Sequence, residues 1–230
     1  MLTSPFWSQA VRTLAAIVAL SALPIARAAA PSASAPLPAL VVFGDSLSAG
    51  YGLKAGEGWV DLLARRLARE AYGYRVVNAS VSGETSAGGL ARLPRVLANN
   101  HPALLILELG ANDGLRGLPP AEMQKNLTTI VRLARAGHAR VLLIGMRIPG
   151  NYGPEYTERF AAVFATIARS EKLPLVPFLL ERIALDDARF QADGLHPLAS
   201  AEPELLDSVW KVLAPLLTRP AAKGAAGAGH

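Results

Sequence analysis

Ser46 stands where an apolar run, Val41-Val42-Phe43, breaks into the turn-forming sequence Gly44-Asp45-Ser46-Leu47-Ser48. A strand that ends in such a turn displays its next side chain at the carboxyl edge of a sheet, where the ligands of open α/β sheets bind. A serine displayed there is a candidate nucleophile. Acyl transfer then asks for a base to take its proton, a group to orient that base, and donors for the tetrahedral oxyanion. The chain offers each of these on a segment of its own. His196 is the candidate base, in Asp193-Gly194-Leu195-His196-Pro197, and Gly194 permits the bend that lets Asp193 reach its imidazole. Asn112, in Gly110-Ala111-Asn112-Asp113-Gly114, offers a side-chain amide, while Gly83 and Ser46 offer backbone N–H groups. A Cβ at position 83 is expected to crowd the substrate.

Taken singly, each of these residues has an ordinary role, since a serine after a strand caps a helix and an asparagine caps a loop. The ordered set carries the chemistry. Asp45 is expected to hydrogen-bond the turn, and Glu84 and Asp113 read as turn or helix-start acids. His101 and His138 read as surface residues in connecting loops. No two histidines have metal-ligand spacing, and neither a Gly-x-x-x-x-Gly-Lys loop nor a dinucleotide fingerprint is present, so the chemistry calls for no metal and no cofactor. The Gly-x-Ser-x-Gly elbow of the common α/β-hydrolases is also missing.

These loops converge only if a parallel sheet carries them. Short apolar or β-branched runs at 39–43, 75–78, 104–109, 141–144 and 173–178 predict five strands. Amphipathic segments at 59–72, 119–136 and 155–171 predict helices between them, with a last helix over 202–217. A helix over 85–97 is weakened by Gly88, Gly89 and Pro94. The alternation predicts an α/β fold with a parallel sheet covered on both faces, and the proline-interrupted fifth strand belongs at an edge.

The 230 residues are 51% hydrophobic and 18% charged, which suits one domain with a substantial core. The net charge of +5 is spread over helix faces as single residues and pairs, so no nucleic-acid partner is expected. Cysteine is absent, which excludes disulfides and thiolate chemistry. Arg12, an apolar run over 14–23, Pro24 and small-x-small sites at 26–28 and 28–30 read as a secretory signal over 1–30, with an apolar run too short to span a bilayer. Residues 31–38 read as a flexible leader, 39–219 as the catalytic domain and 220–230 as a disordered tail. An exported monomer, periplasmic or secreted and touching membrane lipid at most transiently, is the expectation.

The four ordered blocks, Gly44-Asp45-Ser46-Leu47-Ser48, Gly83, Gly110-x-Asn112-Asp113 and Asp193-x-x-His196, resemble the GDSL esterases, also called SGNH hydrolases. Longer similarities over 44–51, 78–93, 108–118 and 146–153 point to the multifunctional thioesterase, protease and lysophospholipase branch of that family. The resemblance implies a flavodoxin-like sheet in the order 2-1-3-4-5, a Ser46, Asp193, His196 triad and an oxyanion hole of Ser46, Gly83 and Asn112. It also implies that Leu115, Leu118, Pro119, Ile148, Pro149 and Tyr152 bind the acyl chain of a small-molecule or lipid substrate. After His196-Pro197 the chain departs from that branch, reading Leu198-Ala199-Ser200-Ala201-Glu202-Pro203, which bears on substrate preference. The function expected is an esterase or thioesterase working through an acyl-enzyme. A carbohydrate O-deacetylase of the same family is the alternative enzyme, and a non-catalytic binding protein on the same fold the alternative class.

Overall fold

In the computed structural model, which describes residues 36–218, strand β1 (Ala39–Gly44) is buried along its whole length. A strand covered on both faces can be apolar at every position, which is why Ala39 to Phe43 shows no alternation. It pairs in parallel with β2 (Arg75–Asn78) on one side and β3 (Pro102–Glu108) on the other. Beyond β3 lie β4 (Arg140–Ile144) and β5 (Leu175–Val176), which completes a five-stranded parallel sheet in the order 2-1-3-4-5. The leader, signal and tail assignments at 1–35 and 219–230 lie outside the described residues.

Six α-helices lie between the strands within the described residues and a seventh follows the last one: α1 (Ser46–Ala49), α2 (Trp59–Arg69), α3 (Ser86–Asn100), α4 (Ala111–Leu115), α5 (Pro120–Ala136), α6 (Pro154–Ser170) and α7 (Glu202–Leu213). Helices α3, α5 and α6 pack side by side, and α2 packs against α7, so one helical layer covers each face of the sheet. Each crossover returns the chain to the same edge, so every strand points its carboxyl end towards the loops that carry Ser46, Gly83 and Asn112.

Three elements depart from the sequence expectation. Helix α3 runs through Pro94 to Asn100 although proline removes one backbone donor. Thr85 caps its start, accepting from the Gly88 N–H at 3.2 Å, and Leu93 is fully buried, so packing outweighs the weak intrinsic propensity. The fifth strand is two residues long, not six, because Pro174 and Pro177 bracket it and cannot donate to a ladder. The last α-helix stops at Leu213 and gives way to a 3₁₀ turn over Ala214–Leu216 at Pro215.

Candidate active site

Ser46 is the first residue of α1, and Asp45 immediately before it caps that helix by accepting the Leu47 N–H at 3.1 Å. From a loop 150 residues later, His196 brings Nε2 to 2.8 Å from Ser46 Oγ. The other ring nitrogen, Nδ1, lies 2.7 Å from Asp193 Oδ2. Asp193 also shapes the loop that holds both residues, since its Oδ1 accepts the Leu195 N–H at 2.9 Å and the His196 N–H at 3.0 Å. These donors, the backbone N–H of His196 foremost, hold the Asp193 carboxyl down at about 2. The residue that orients the imidazole is therefore a carboxylate, which fixes the proton on Nδ1 and leaves Nε2 free to accept from Ser46.

Donors for an oxyanion collect in the same cavity. Ser46, Gly83 and Asn112 line one open pocket of about 240 Å³ together with His196. Among the described residues neither the Ser46 nor the Gly83 backbone N–H donates to a protein acceptor. The Asn112 amide donates to Glu84 O at 3.0 Å, which fixes its orientation, and to Asp45 Oδ2 at 3.3 Å, a long bond that is readily exchanged for a stronger acceptor. Gly83 sits at φ +79°, and a Cβ there would meet only Arg116 Nη2 at 3.9 Å. Its glycine is thus required by backbone conformation, with no crowding from the protein.

The pocket wall sorts the six residues expected to bind the acyl chain. Leu115, Ile148 and Pro149 line the cavity, alongside Leu47, Met146 and Leu180. Leu118, Pro119 and Tyr152 do not. Leu118 and Tyr152 are exposed outside it, and Pro119 precedes the first turn of α5. Tyr152 acts from behind the wall by donating its hydroxyl to Leu115 O at 2.8 Å, and Tyr156 holds the same loop through Leu118 O at 2.7 Å.

Tyr51 and Gln191 carry no sequence signal for the places they take at the site. The Tyr51 ring packs against the His196 imidazole at 4.5 Å, centroid to centroid, tilted by 39°. Gln191 donates from one amide to Tyr51 O at 2.8 Å and to Pro197 O at 2.9 Å, joining the nucleophile segment to the base loop. Its side chain passes so close to Gly52 that a Cβ there would clash with Gln191 Oε1. Asp45 forms the expected turn bond, but it is also fully buried, and that burial pushes its carboxyl up to about 6 against the pull of the Leu47 N–H, His196 and Asn112. Asp113 accepts both the N–H and the hydroxyl of Ser86, at 2.8 and 2.5 Å, and so holds the start of α3. Glu84 pairs with Arg92, and His101 and His138 are exposed.

A parallel α/β sheet that presents a serine, an imidazole and a carboxylate in hydrogen-bonded series defines a serine hydrolase. Residues 42–201 match the model of the GDSL-like lipase/acylhydrolase family, and the chain belongs to that family and is an ester hydrolase. It is 56% identical over 178 residues to an esterase TesA of Pseudomonas aeruginosa, covering 77% of this chain and 89% of that one. Identity to the thioesterase 1/protease 1/lysophospholipase L1 of Escherichia coli is 42%, over 77% and 84% of the two chains. A crystal structure of TesA superposes with a TM-score of 0.76 at 55% identity, over 78% of this chain and 99% of that one.

Proposed function

We propose that the chain hydrolyses acyl esters and thioesters through a covalent acyl-enzyme on Ser46. The observation that carries this reading is the continuous series Ser46 Oγ, His196 Nε2, His196 Nδ1 and Asp193 Oδ2, with contacts of 2.8 and 2.7 Å. As Ser46 Oγ attacks the carbonyl carbon, its proton passes to His196 Nε2 and the carbonyl oxygen becomes an anion. The N–H groups of Ser46 and Gly83 and the Asn112 amide receive that oxygen. Collapse of the tetrahedral intermediate breaks the bond to the alcohol or thiol, which leaves with the proton from Nε2. A water molecule then gives its proton to Nε2 and attacks the acyl carbon, and the acid departs as Ser46 regains its proton.

The apolar wall of Leu47, Leu115, Met146, Ile148 and Leu180 supports an alkyl or aryl acyl group over an acetylated sugar. Relatives named as an esterase and as a thioesterase and lysophospholipase support both leaving groups. Export is part of the proposal and rests on the signal-like pattern over 1–30, which N-terminal sequencing of the mature protein tests. For the chemistry, Ser46→Ala should lower kcat on a p-nitrophenyl acyl ester by roughly 10⁴-fold or more. Turnover near the wild-type rate would overturn the assignment. A chain-length series on esters and thioesters should peak above acetate, and a peak at acetate alone would move the reading to a deacetylase.

A further inference from the structure

Behind the nucleophile turn lies a polar group that no step above uses. Glu108 ends β3 and is completely buried. Its Oε2 accepts the Ser48 hydroxyl at 2.7 Å and the Asp45 backbone N–H at 3.2 Å. Ser46 thus sits between two residues that are both tied to one carboxyl. The turn is fastened further by the Asn78 amide, which donates to Ser48 O at 2.7 Å. The space is built around this carboxyl, because a Cβ on Gly44 would stand 2.5 Å from Glu108 Oε2 and 2.8 Å from Ser48 Cβ.

No cation pairs with Glu108 among the described residues, and its Oε1 is buried without a partner. An isolated buried carboxylate costs far more than an unpaired neutral hydroxyl, so the group is driven to keep its proton. Burial first, and then the charge of Asp45, raise its pKa well above the usual range. Asp45 is the charged group facing it, and Asp45 in turn feels His196 and Asp113. Of the two acids Asp45 has the donors that stabilise a charge on each of its oxygens, Leu47 N–H and the Asn112 amide, so the proton resides on Glu108.

We propose that Glu108 is a positioning residue for Ser46. As a neutral carboxylic acid it accepts from Asp45 and Ser48, and so fixes the turn that aims Ser46 Oγ at His196 and the Ser46 N–H into the cavity. The assignment rests on Ser46 being the nucleophile.

Three single variants and one double variant test it, each checked for folding by circular dichroism and thermal melting and assayed on a p-nitrophenyl ester. Glu108→Ala and Ser48→Ala should each lower kcat by about 10- to 100-fold with KM unchanged, the cost of a small misplacement of the nucleophile. Combining them should cost little more than Glu108→Ala alone, because that variant already removes the bond to Ser48. Glu108→Gln, which keeps a neutral acceptor in place, should recover most of what Glu108→Ala loses. Wild-type kcat in Glu108→Ala or Ser48→Ala would overturn the proposal, as would Glu108→Gln as impaired as Glu108→Ala, which would mean that a charge is needed. If Glu108→Ala does not fold, the Ser48→Ala and Glu108→Gln rates decide in the same way. An inactive Ser46→Ala beside a fully active Ser48→Ala sinks this inference alone, whereas an active Ser46→Ala sinks its premise.

Discussion

Asp193 touches His196 twice, once at the imidazole through Oδ2 at 2.7 Å and once at the backbone N–H through Oδ1 at 3.0 Å. One carboxylate therefore sets both the tautomer of the base and the shape of its loop. Asp193→Asn keeps an acceptor for the loop but presents an amide to Nδ1, which disfavours the productive tautomer. We expect kcat to fall by roughly 10³- to 10⁴-fold in Asp193→Asn with the melting temperature little changed. Because the wild-type carboxyl titrates at about 2, any acid limb of the rate above about pH 4 belongs to another group. A kcat for Asp193→Asn within tenfold of wild type would remove Asp193 from the series.

Asn112 is held by Glu84 O, and its second amide hydrogen rests on Asp45 Oδ2 at 3.3 Å until a substrate oxygen takes it over. Asn112→Ala should lower kcat by about 10²- to 10³-fold, the usual consequence of losing one oxyanion donor. KM should move little, since the interaction strengthens only as charge develops on the carbonyl oxygen. Steady-state kinetics that showed the loss in KM would assign Asn112 to ground-state binding.

Gln191 predicts a different kind of loss. Its amide ties Tyr51 O to Pro197 O, and the Tyr51 ring packs against His196, so Gln191→Ala should loosen the base without removing any reacting group. A fall in kcat on the order of tenfold is expected, with the pH profile unchanged in shape. Wild-type kcat in that variant would show that the two loops hold their registration without the bridge.

A fourth expectation concerns stability. Glu202 is buried at the start of α7, accepts the Trp59 N–H at 2.7 Å, and is raised by burial from 4.5 to about 7. Between those pH values the folded protein keeps a proton on Glu202 that the unfolded chain releases, so the contribution of Glu202 to stability falls as pH rises across the window and is gone above it. At about 1.4 kcal/mol per pH unit the loss is on the order of 3 kcal/mol. Glu202→Gln has no proton to release at this position, so its denaturation midpoint should fall less steeply than that of the wild type between pH 4.5 and 7, the remaining slope belonging to Asp45 and Glu108. Equal slopes for wild type and variant would show that Glu202 is not the group responsible.

What the sequence reveals of this site depends on whether a residue's role is local. Ser46, Gly83, Asn112, Asp193 and His196 each follow an apolar run or share one short loop, and so their types and spacing are informative. Glu108, by contrast, acts on Asp45 and Ser48 across 63 and 60 residues, and Gln191 acts on Tyr51 across 140. No local pattern marks a contact of that span. The fold was legible for the same reason, since continuous burial leaves an apolar run in β1 and β3. The length of β5 and the passage of α3 through Pro94 were settled by neighbours in space. Leu118, Pro119 and Tyr152 lie on the right loops, but loop membership does not say which side of a wall a residue occupies.

That wall has a consequence for how such a protein diversifies. Leu115, Ile148 and Pro149, which shape the cavity, stand on segments following β3 and β4, whereas the base and its orienting acid share the loop before α7. Part of the apolar wall, at 148–149, therefore stands on a stretch of chain apart from the Asp193–His196 loop, while Leu47 beside Ser46 and Leu115 beside Asn112 tie the rest of the wall to the reacting groups. A designer is free to recut the mould at 148–149 while the proton's route through 193, 196 and 46 is inherited intact.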